Sequence, residues 1–243
     1  MDTVMTIAAN GADSEAAVNG ARDAVLALGS EITDGASSAD VDAILSLAEE
    51  MRGLTGGAFD IRYPGSENAA AGSGFDLGGI AKGYAADLAA DSLRSAGVTS
   101  ALIDLGGNIY AVGVKPDGGP WRVGIRNPFP DGADSPYAGV LSLTDLSAVT
   151  SGEYERGAHI IDPGTGEAAQ SGLASITVIG ESSAVCDALA TAFYVMGLEK
   201  SLGLLRDTDV ALGAVFVSNG GAITITRGVA EIFTSESAYE IAD

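Results

Sequence analysis

The sequence is poor in cysteine, in basic residues and in long hydrophobic runs. Its 243 residues include one cysteine, Cys186, and one histidine, and its lysines are Lys82, Lys115 and Lys200. A single cysteine excludes a disulfide within the chain. No apolar run approaches the roughly 18 residues that a transmembrane helix needs, so the sequence predicts no membrane span. The scarcity of lysine makes the position of each one informative.

The charge balance is strongly acidic, with 33 acidic residues against 12 basic ones and a net charge of −21. Such a surface repels nucleic acid and anionic lipid, which argues against a protein that binds polyanions through its overall charge. Adaptation to high salt and a generally acidic proteome both fit this composition. The N-terminal stretch 1–7 lacks the basic and apolar regions of a signal peptide. This favours a cytoplasmic protein, although a trimmed export signal would leave the same sequence.

The pattern of apolar residues predicts a mixed fold. A hydrophobic content of 47% excludes a disordered chain, and the length suits a single domain over residues 1–243. Helical spacing predicts helices over 13–33, 38–52, 80–96, 183–196 and 199–206. Strands are predicted over 3–9, 101–104, 109–112, 121–125, 138–143, 147–150, 159–161, 173–179, 210–217 and 222–227. This order is typical of an α+β fold with a largely antiparallel sheet.

The most informative segment is Asp76-Leu-Gly-Gly-Ile-Ala-Lys-Gly-Tyr-Ala-Ala-Asp87. Gly78 and Gly79 stand before a predicted helix, and Lys82 falls in its first turn. Backbone N–H groups at a helix N-terminus attract anions, and a lysine adds a full positive charge. The pattern therefore predicts a phosphate site. A loop that enters a surface helix with a solvated lysine fits the same residues.

Asp187 and Thr191 carry a second chemical signal. Their i, i+4 spacing places a carboxylate and a hydroxyl on one helical face, where both oxygens could reach one hard cation. A threonine that bonds back to its own helix fits the spacing equally. His159 is the chain's one histidine, and a structural role bonded to the backbone remains open for it. The surroundings of Cys186 predict a small core residue.

Taken together, the motifs resemble the ApbE family of FAD:protein FMN transferases. The resemblance rests on seven segments in the same order across nearly the whole chain. They are Met1-Asp-Thr3, Gly57-Ala-Phe-Asp60, Asp76 to Asp87, Asp104-Leu-Gly-Gly-Asn108, Thr150-Ser-Gly-Glu-Tyr154, His159-Ile-Ile-Asp-Pro-Gly-Thr-Gly166 and Asp187-Ala-Leu-Ala-Thr191. The segment 61–74 is shorter than the family's usual insert, so the chain resembles a compact member.

The resemblance implies a T-fold-like architecture, FAD as substrate, Mg²⁺ as metal, and transfer of FMN to a threonine hydroxyl of an acceptor flavoprotein. It implies Lys82 and His159 as the catalytic residues. By the same resemblance, the metal would be held by the Gly79 carbonyl, Asp187 and Thr191. The flavin and its diphosphate would contact Met1, Ala58, Phe59, Asp60, Asp76, Lys82 and the Ile161 backbone.

Two other functions remain compatible with these residues. Water in place of threonine would make the same site an FAD pyrophosphatase that yields FMN and AMP. A chain that kept the fold and lost the reaction would be a non-catalytic flavin-binding protein. The presence of Lys82, His159, Asp187 and Thr191 argues against this last alternative, because a carrier needs no metal ligands.

Overall fold

The computed structural model describes residues 4–11, 13–62, 75–129, 135–152 and 160–243. Five α-helices lie within these ranges: α1 (Ser14–Asp34), α2 (Ala39–Leu54), α3 (Ala81–Ser95), α4 (Ser183–Met196) and α5 (Leu198–Asp207). The strands are β1 (Met5–Ala9), β2 (Ser100–Leu105), β3 (Asn108–Gly113), β4 (Trp121–Arg126), β5 (Tyr137–Leu143), β6 (Ser147–Gly152), β7 (Leu173–Gly180), β8 (Gly213–Ser218), β9 (Ile223–Thr226), β10 (Phe233–Thr234) and β11 (Tyr239–Ala242).

The strands form one large and one small sheet. The large sheet has the order β1-β2-β3-β6-β7-β8-β9-β11, and the small one has the order β10-β5-β4. All pairings in the large sheet are antiparallel except that of β9 with β11, which is parallel. The predicted α+β fold with a largely antiparallel sheet is therefore confirmed.

The large sheet is covered on both faces. Alternate residues of one strand belong to different hydrophobic clusters: Ile176 and Val178 pack with the helices, whereas Ile179 packs with residues of the small sheet. Every residue of β7 is consequently buried. Because side chains of a strand alternate between its two faces, a strand between two layers is buried on both faces, and the polar Ser175 and Thr177 of β7 are buried as well.

Most predicted elements are found with small shifts at their ends. Ser38 and Ser182 cap α2 and α4, each accepting a hydrogen bond from a backbone N–H three residues on. Gly97 follows α3 with a φ of 83°, as a glycine after a helix end commonly does. Asp13 stands at the N-cap position of α1 but makes no side-chain capping bond.

Three details of the strand prediction need correction. β10 and β11 were not predicted. The expected strand at 159–161 is reduced, among described residues, to an isolated bridge between Ile161 and Ala168. The glycines Gly106 and Gly107 form the turn between β2 and β3, with φ values of 60° and 94°, and Asn108 already belongs to the strand.

Within the described ranges, no helix has the length and apolar character needed to cross a lipid bilayer.

Candidate functional site

The centre of the candidate site is the contact between the N-terminal turns of α3 and α4. Asp187, which is 2% exposed, accepts a hydrogen bond at 2.9 Å from the backbone N–H of Gly83, 104 residues away in the sequence. In the opposite direction, Asp87 of α3 accepts bonds from the backbone N–H groups of Ser183 and Ala184 at 2.7 and 2.9 Å. Each helix thus caps the other with a carboxylate.

Gly83 permits this close approach. A Cβ at position 83 would lie 2.3 Å from the carbonyl oxygen of Ser183 and 2.7 Å from the Cα of Ala184. These are backbone atoms, which cannot rotate away. Only glycine therefore allows α3 and α4 to touch with their backbones, and this contact brings the two sequence segments of the site together.

Lys82 reaches into the same contact from α3. Its Nζ donates a hydrogen bond of 2.8 Å to Oδ1 of Asn108 and lies 3.8 Å from Oδ1 of Asp187. The Lys82 side chain is 20% exposed, so it is largely buried yet still open on one side. A half-buried ammonium with one open side can bind an anion from the solvent.

Gly79 and Thr191 lie in the same two segments as Lys82 and Asp187. A Cβ at Gly79 would lie 2.8 Å from Oγ1 of Thr191 and 3.3 Å from the Phe59 ring. Within the described parts of the chain, the Thr191 hydroxyl makes no bond back to its own helix, in contrast to Thr33, Thr55 and Thr208. The alternative of a threonine that bonds to its own helix is therefore wrong, and the hydroxyl oxygen lies close to Gly79.

This donor set fits a hard divalent cation. The residues that could hold it are a carboxylate, a hydroxyl and a backbone carbonyl, all oxygen ligands of the kind that Mg²⁺ prefers. One carboxylate oxygen of Asp187 accepts the Gly83 bond, while the other, as far as the described residues go, has only the 3.8 Å contact with Lys82. Across the described residues, no group of three or more His, Cys, Asp or Glu side chains could hold a metal ion. Among the described residues, a cation here would have Asp187 as its carboxylate ligand, with water or substrate oxygens as further ligands.

At the α3 N-terminus, where the sequence predicts an anion site, several backbone N–H groups already have acceptors within the protein. The N–H of Gly78 donates to Oδ1 of Asp76 at 2.8 Å, and the N–H groups of Ile80 and Ala81 donate to the Leu77 carbonyl. With Gly83 also engaged by Asp187, most donors of this turn have acceptors within the protein. The positive charge available to a phosphate therefore comes mainly from Lys82.

The aromatic and acidic residues before the motif lie beside this turn. Phe59 is buried, and its N–H donates to the Thr55 hydroxyl; Ala58 is partly buried against the core. Asp60 pairs with Arg52 at 2.8 Å and accepts a bond from the Arg62 N–H. Burial alone would raise the pKa of the Asp60 carboxyl, but the Arg62 N–H and the Arg52 guanidinium outweigh it, so that the pKa lies below its ordinary value.

Ile161 lies in a separate turn. It bridges to Ala168, and the N–H of Ala169 donates to the Ile160 carbonyl. No hydrogen bond between described residues joins this turn to Lys82 or Asp187. Met1 and His159 fall outside the described residues, and their expected roles stay predictions.

A cleft of about 340 Å³ runs along Lys82 between α1, β1 and α3. Its lining includes Met5, Val25, Gly29, Thr33, Lys82 and Leu105. The volume is at the lower end of the range of ligand pockets, so the cleft could take one ring system of a larger ligand. Asp34 also lines the cleft, so its apolar walls suit an aromatic ring, and a phosphate would be favoured only at the Lys82 side.

Two buried groups near the helix contact have perturbed pKa values. Burial raises the pKa of Asp87, and its hydrogen bonds from Ala184, Ser183 and Ser182 offset this only in part. Burial also raises the pKa of the Cys186 thiol far above its ordinary value. A thiol that stays protonated is a poor nucleophile, which agrees with the predicted core role of Cys186.

Sequence reasoning missed two residues of this site. Asn108 closes the quoted Asp104-Leu-Gly-Gly-Asn108 motif, and Asp87 closes the Asp76–Asp87 motif, yet neither received a role. Their positions at the ends of polar, glycine-rich motifs were a usable signal. Their partners, Lys82 and the first turn of α4, could be identified only from the fold.

Comparisons with known proteins agree with this geometry. The model of the ApbE family matches residues 65–216. The FAD:protein FMN transferase of Treponema pallidum is 40% identical in an alignment of 179 residues that covers 67% of this chain and 49% of that protein. A protein of the same name from Klebsiella pneumoniae is 34% identical over 192 residues, covering 75% and 56%. The chain therefore spans about half the length of the curated relatives it matches.

Solved structures show the same fold. The flavin transferase ApbE from Vibrio cholerae superposes with a TM-score of 0.79 at 22% identity, and the match covers 96% of both chains. The flavinyl transferase ApbE of Pseudomonas stutzeri, in its apo form, gives a TM-score of 0.66 at 29% identity over 81% of this chain and 75% of the other.

Proposed function

Because this chain belongs to the ApbE family, we propose that it transfers FMN from FAD to a threonine hydroxyl of an acceptor flavoprotein, with Mg²⁺, and releases AMP. Relatives named FAD:protein FMN transferase support the reaction class. The observation that carries the proposal is the junction of Lys82 with Asp187 at 3.8 Å, next to Gly79 and Thr191. This junction combines a cation for phosphate with oxygen ligands for a metal.

In this proposal, the metal ligands are the Asp187 carboxylate, the Thr191 hydroxyl and the Gly79 carbonyl. When bound, Mg²⁺ would neutralise part of the charge on the diphosphate and stabilise the charge that develops on the leaving phosphate. Gly83 holds the second Asp187 oxygen at 2.9 Å, which fixes the orientation of the carboxylate. A carboxylate that is already oriented loses little conformational entropy when it takes up a ligand.

Lys82 binds and orients the diphosphate. Its ammonium is anchored by Asn108 and remains accessible on one side, so it can contact a non-bridging phosphate oxygen. The cleft along Lys82 would hold one ring system of FAD against the apolar residues of α1 and β1. Binding of both groups in one orientation would place the diphosphate beside the metal ligands.

The transfer is a substitution at phosphorus. The threonine oxygen forms a bond to the phosphorus of the FMN half, the bond from that phosphorus to the bridging oxygen breaks, and AMP leaves with the bridging oxygen. The threonine proton must be accepted during the reaction, and the resemblance implies His159 as that base. A positioned general base contributes typically about 10² to 10⁴-fold to such a step.

The proposal can be tested with the purified chain, FAD, MgCl₂ and an acceptor flavoprotein domain. Intact-mass spectrometry should show the acceptor gaining one FMN unit, while chromatography shows an equal amount of AMP. An acceptor with its target threonine replaced by alanine should stay unlabelled. The Asp187→Asn variant, which keeps an acceptor for the Gly83 N–H but loses the negative charge, should lose most of the Mg²⁺-dependent rate.

Other products would point to the other two functions. Free FMN and AMP without a labelled acceptor would identify an FAD pyrophosphatase. FAD that stays bound and intact over hours would identify a flavin-binding protein. In either case the transferase proposal would be wrong.

A further inference from the structure

Asn108 is a fully buried polar residue at the edge of the site. It is 0% exposed, begins β3 directly after the Gly106–Gly107 turn, and lies opposite Val149 of β6. Its Oδ1 accepts the 2.8 Å hydrogen bond from Lys82. An ammonium only donates, so the amide atom that faces it must be the oxygen. The other amide atom, Nδ2, has no acceptor among the described residues.

The position of Lys82 suggests a competition between two acceptors. Its Nζ is within hydrogen-bonding distance of Asn108 but 3.8 Å from Asp187, which is too long for a direct hydrogen bond. Asp187 is the more strongly attracting partner because it carries a full negative charge. The ammonium therefore stays away from the carboxylate because Asn108 holds it there.

We propose that Asn108 is a positioning residue that holds the Lys82 ammonium away from Asp187 and so keeps Oδ1 of Asp187 open to a divalent cation. This inference rests on the proposed function, since it concerns the same metal ligand. Without the amide, the ammonium would move about 1 Å and form a direct ion pair with Asp187. A cation would then have to displace the Lys82 ammonium from the Asp187 carboxylate.

The size of the effect follows from Coulomb's law. Bringing two unit charges from 3.8 Å to about 2.8 Å at an effective dielectric constant of about 20 changes an equilibrium constant by a factor on the order of ten. Removing the Asn108 oxygen should therefore weaken divalent-cation binding about tenfold. The loss should depend on Lys82, because the ammonium is the competitor.

Removal of the Asn108 amide should not lower the stability of the fold in parallel with the loss of cation affinity. Asn108 buries an unpaired Nδ2–H, which is unfavourable for folding. An amide that lowers stability where an apolar residue would serve is typical of a residue kept for function. Variants of Asn108 should therefore lose cation affinity without a matching loss of thermal stability.

The test measures Mn²⁺ and Mg²⁺ binding to the full chain by calorimetry, without FAD. Asn108→Ala should weaken binding about tenfold. Asn108→Asp, which keeps an acceptor for Lys82, should bind at least as tightly as the wild type. In a Lys82→Met background, Asn108→Ala should have no further effect. Melting temperatures without metal report folding, and Asn108→Leu, which has a similar volume and no acceptor, replaces Asn108→Ala if that variant does not fold.

Three results would overturn the inference. Unchanged cation affinity in Asn108→Ala would show that the amide does not control access to Asp187. An equal loss with and without the Lys82 ammonium, or an equal loss in Asn108→Asp, would show a merely structural role. If the wild type binds no divalent cation, or if Asp187→Asn binds it equally well, the metal ligands of the proposed function are wrong as well. The first two results leave the proposed function standing.

Discussion

Replacing Gly83 by alanine should separate α3 from α4 and destabilise the protein. The added Cβ would lie 2.3 Å from the Ser183 carbonyl oxygen, a backbone atom that can move only with its helix. The helices must then shift apart, and the 2.9 Å bond from the Gly83 N–H to Asp187 lengthens or breaks. The substitution therefore damages packing and a buried capping bond at once.

The magnitude combines three effects. Overpacking in a close-packed interior costs about 1–3 kcal/mol. Loss of a hydrogen bond to a charged acceptor costs about 1.5–3 kcal/mol. The better helix propensity of alanine returns about 1 kcal/mol. The free energy of unfolding should fall by about 3 kcal/mol, which for a chain of this size lowers the melting temperature by roughly 6–12 °C.

Urea denaturation followed by circular dichroism measures this change. Gly20→Ala in α1 is the matched control, because a Cβ there meets only the Ser92 hydroxyl at 3.9 Å. That variant should be as stable as the wild type or more stable by up to about 1 kcal/mol. A Gly83→Ala protein with the wild-type urea midpoint would refute the close helix contact and the account of the site that depends on it.

Three further predictions follow from the site. Lys82→Gln should weaken FAD binding, most clearly at low salt, in a fluorescence titration, whereas Lys115→Gln on the surface should not; equal affinities for both variants would contradict the phosphate role. Gly79→Ala should reduce Mg²⁺ affinity in calorimetry, because its Cβ would lie 2.8 Å from the Thr191 hydroxyl; full affinity would remove these two ligands. The lowered pKa of Asp60 stabilises the fold above about pH 4, and this contribution is lost as the pH falls through the lowered pKa. Asp60→Asn should therefore be less stable at pH 7 and lose less stability by pH 3; parallel urea midpoints of the two proteins across this range would contradict the assignment.

The helices could be predicted from the sequence because their signals are local. α4 begins at a serine cap and ends before Gly197, and its apolar residues recur at helical spacing. β10 could not be predicted because its two residues are too few to show an alternation, whereas β11 has four residues, as many as the predicted β9. β11 pairs in parallel with β9, a partner that the residue pattern of the strand does not encode.

The candidate site divides in the same way. Asp187 and Thr191 could be selected because their i, i+4 spacing suggests a metal site. Lys82 could be selected because it follows two glycines at a predicted helix start, which suggests a phosphate site. The cap of Asp187 on Gly83 could not, because it joins residues 104 positions apart. For the same reason, the sequence could not show that Asp187 already occupies one of the α3 N–H groups where a phosphate contact is predicted.

The exchange of carboxylates between α3 and α4 also bears on how the protein fluctuates. Asp187 of α4 caps the first turn of α3, and Asp87 of α3 caps the first turn of α4. Fraying of either helix start would therefore expose a backbone N–H of the other helix. Local opening would have to break both contacts in a single event, and the amide protons of Gly83 and Ser183 should exchange with solvent at matching rates. A nucleotide would accordingly meet a rigid junction, and any adjustment to its shape would come from the surrounding chain.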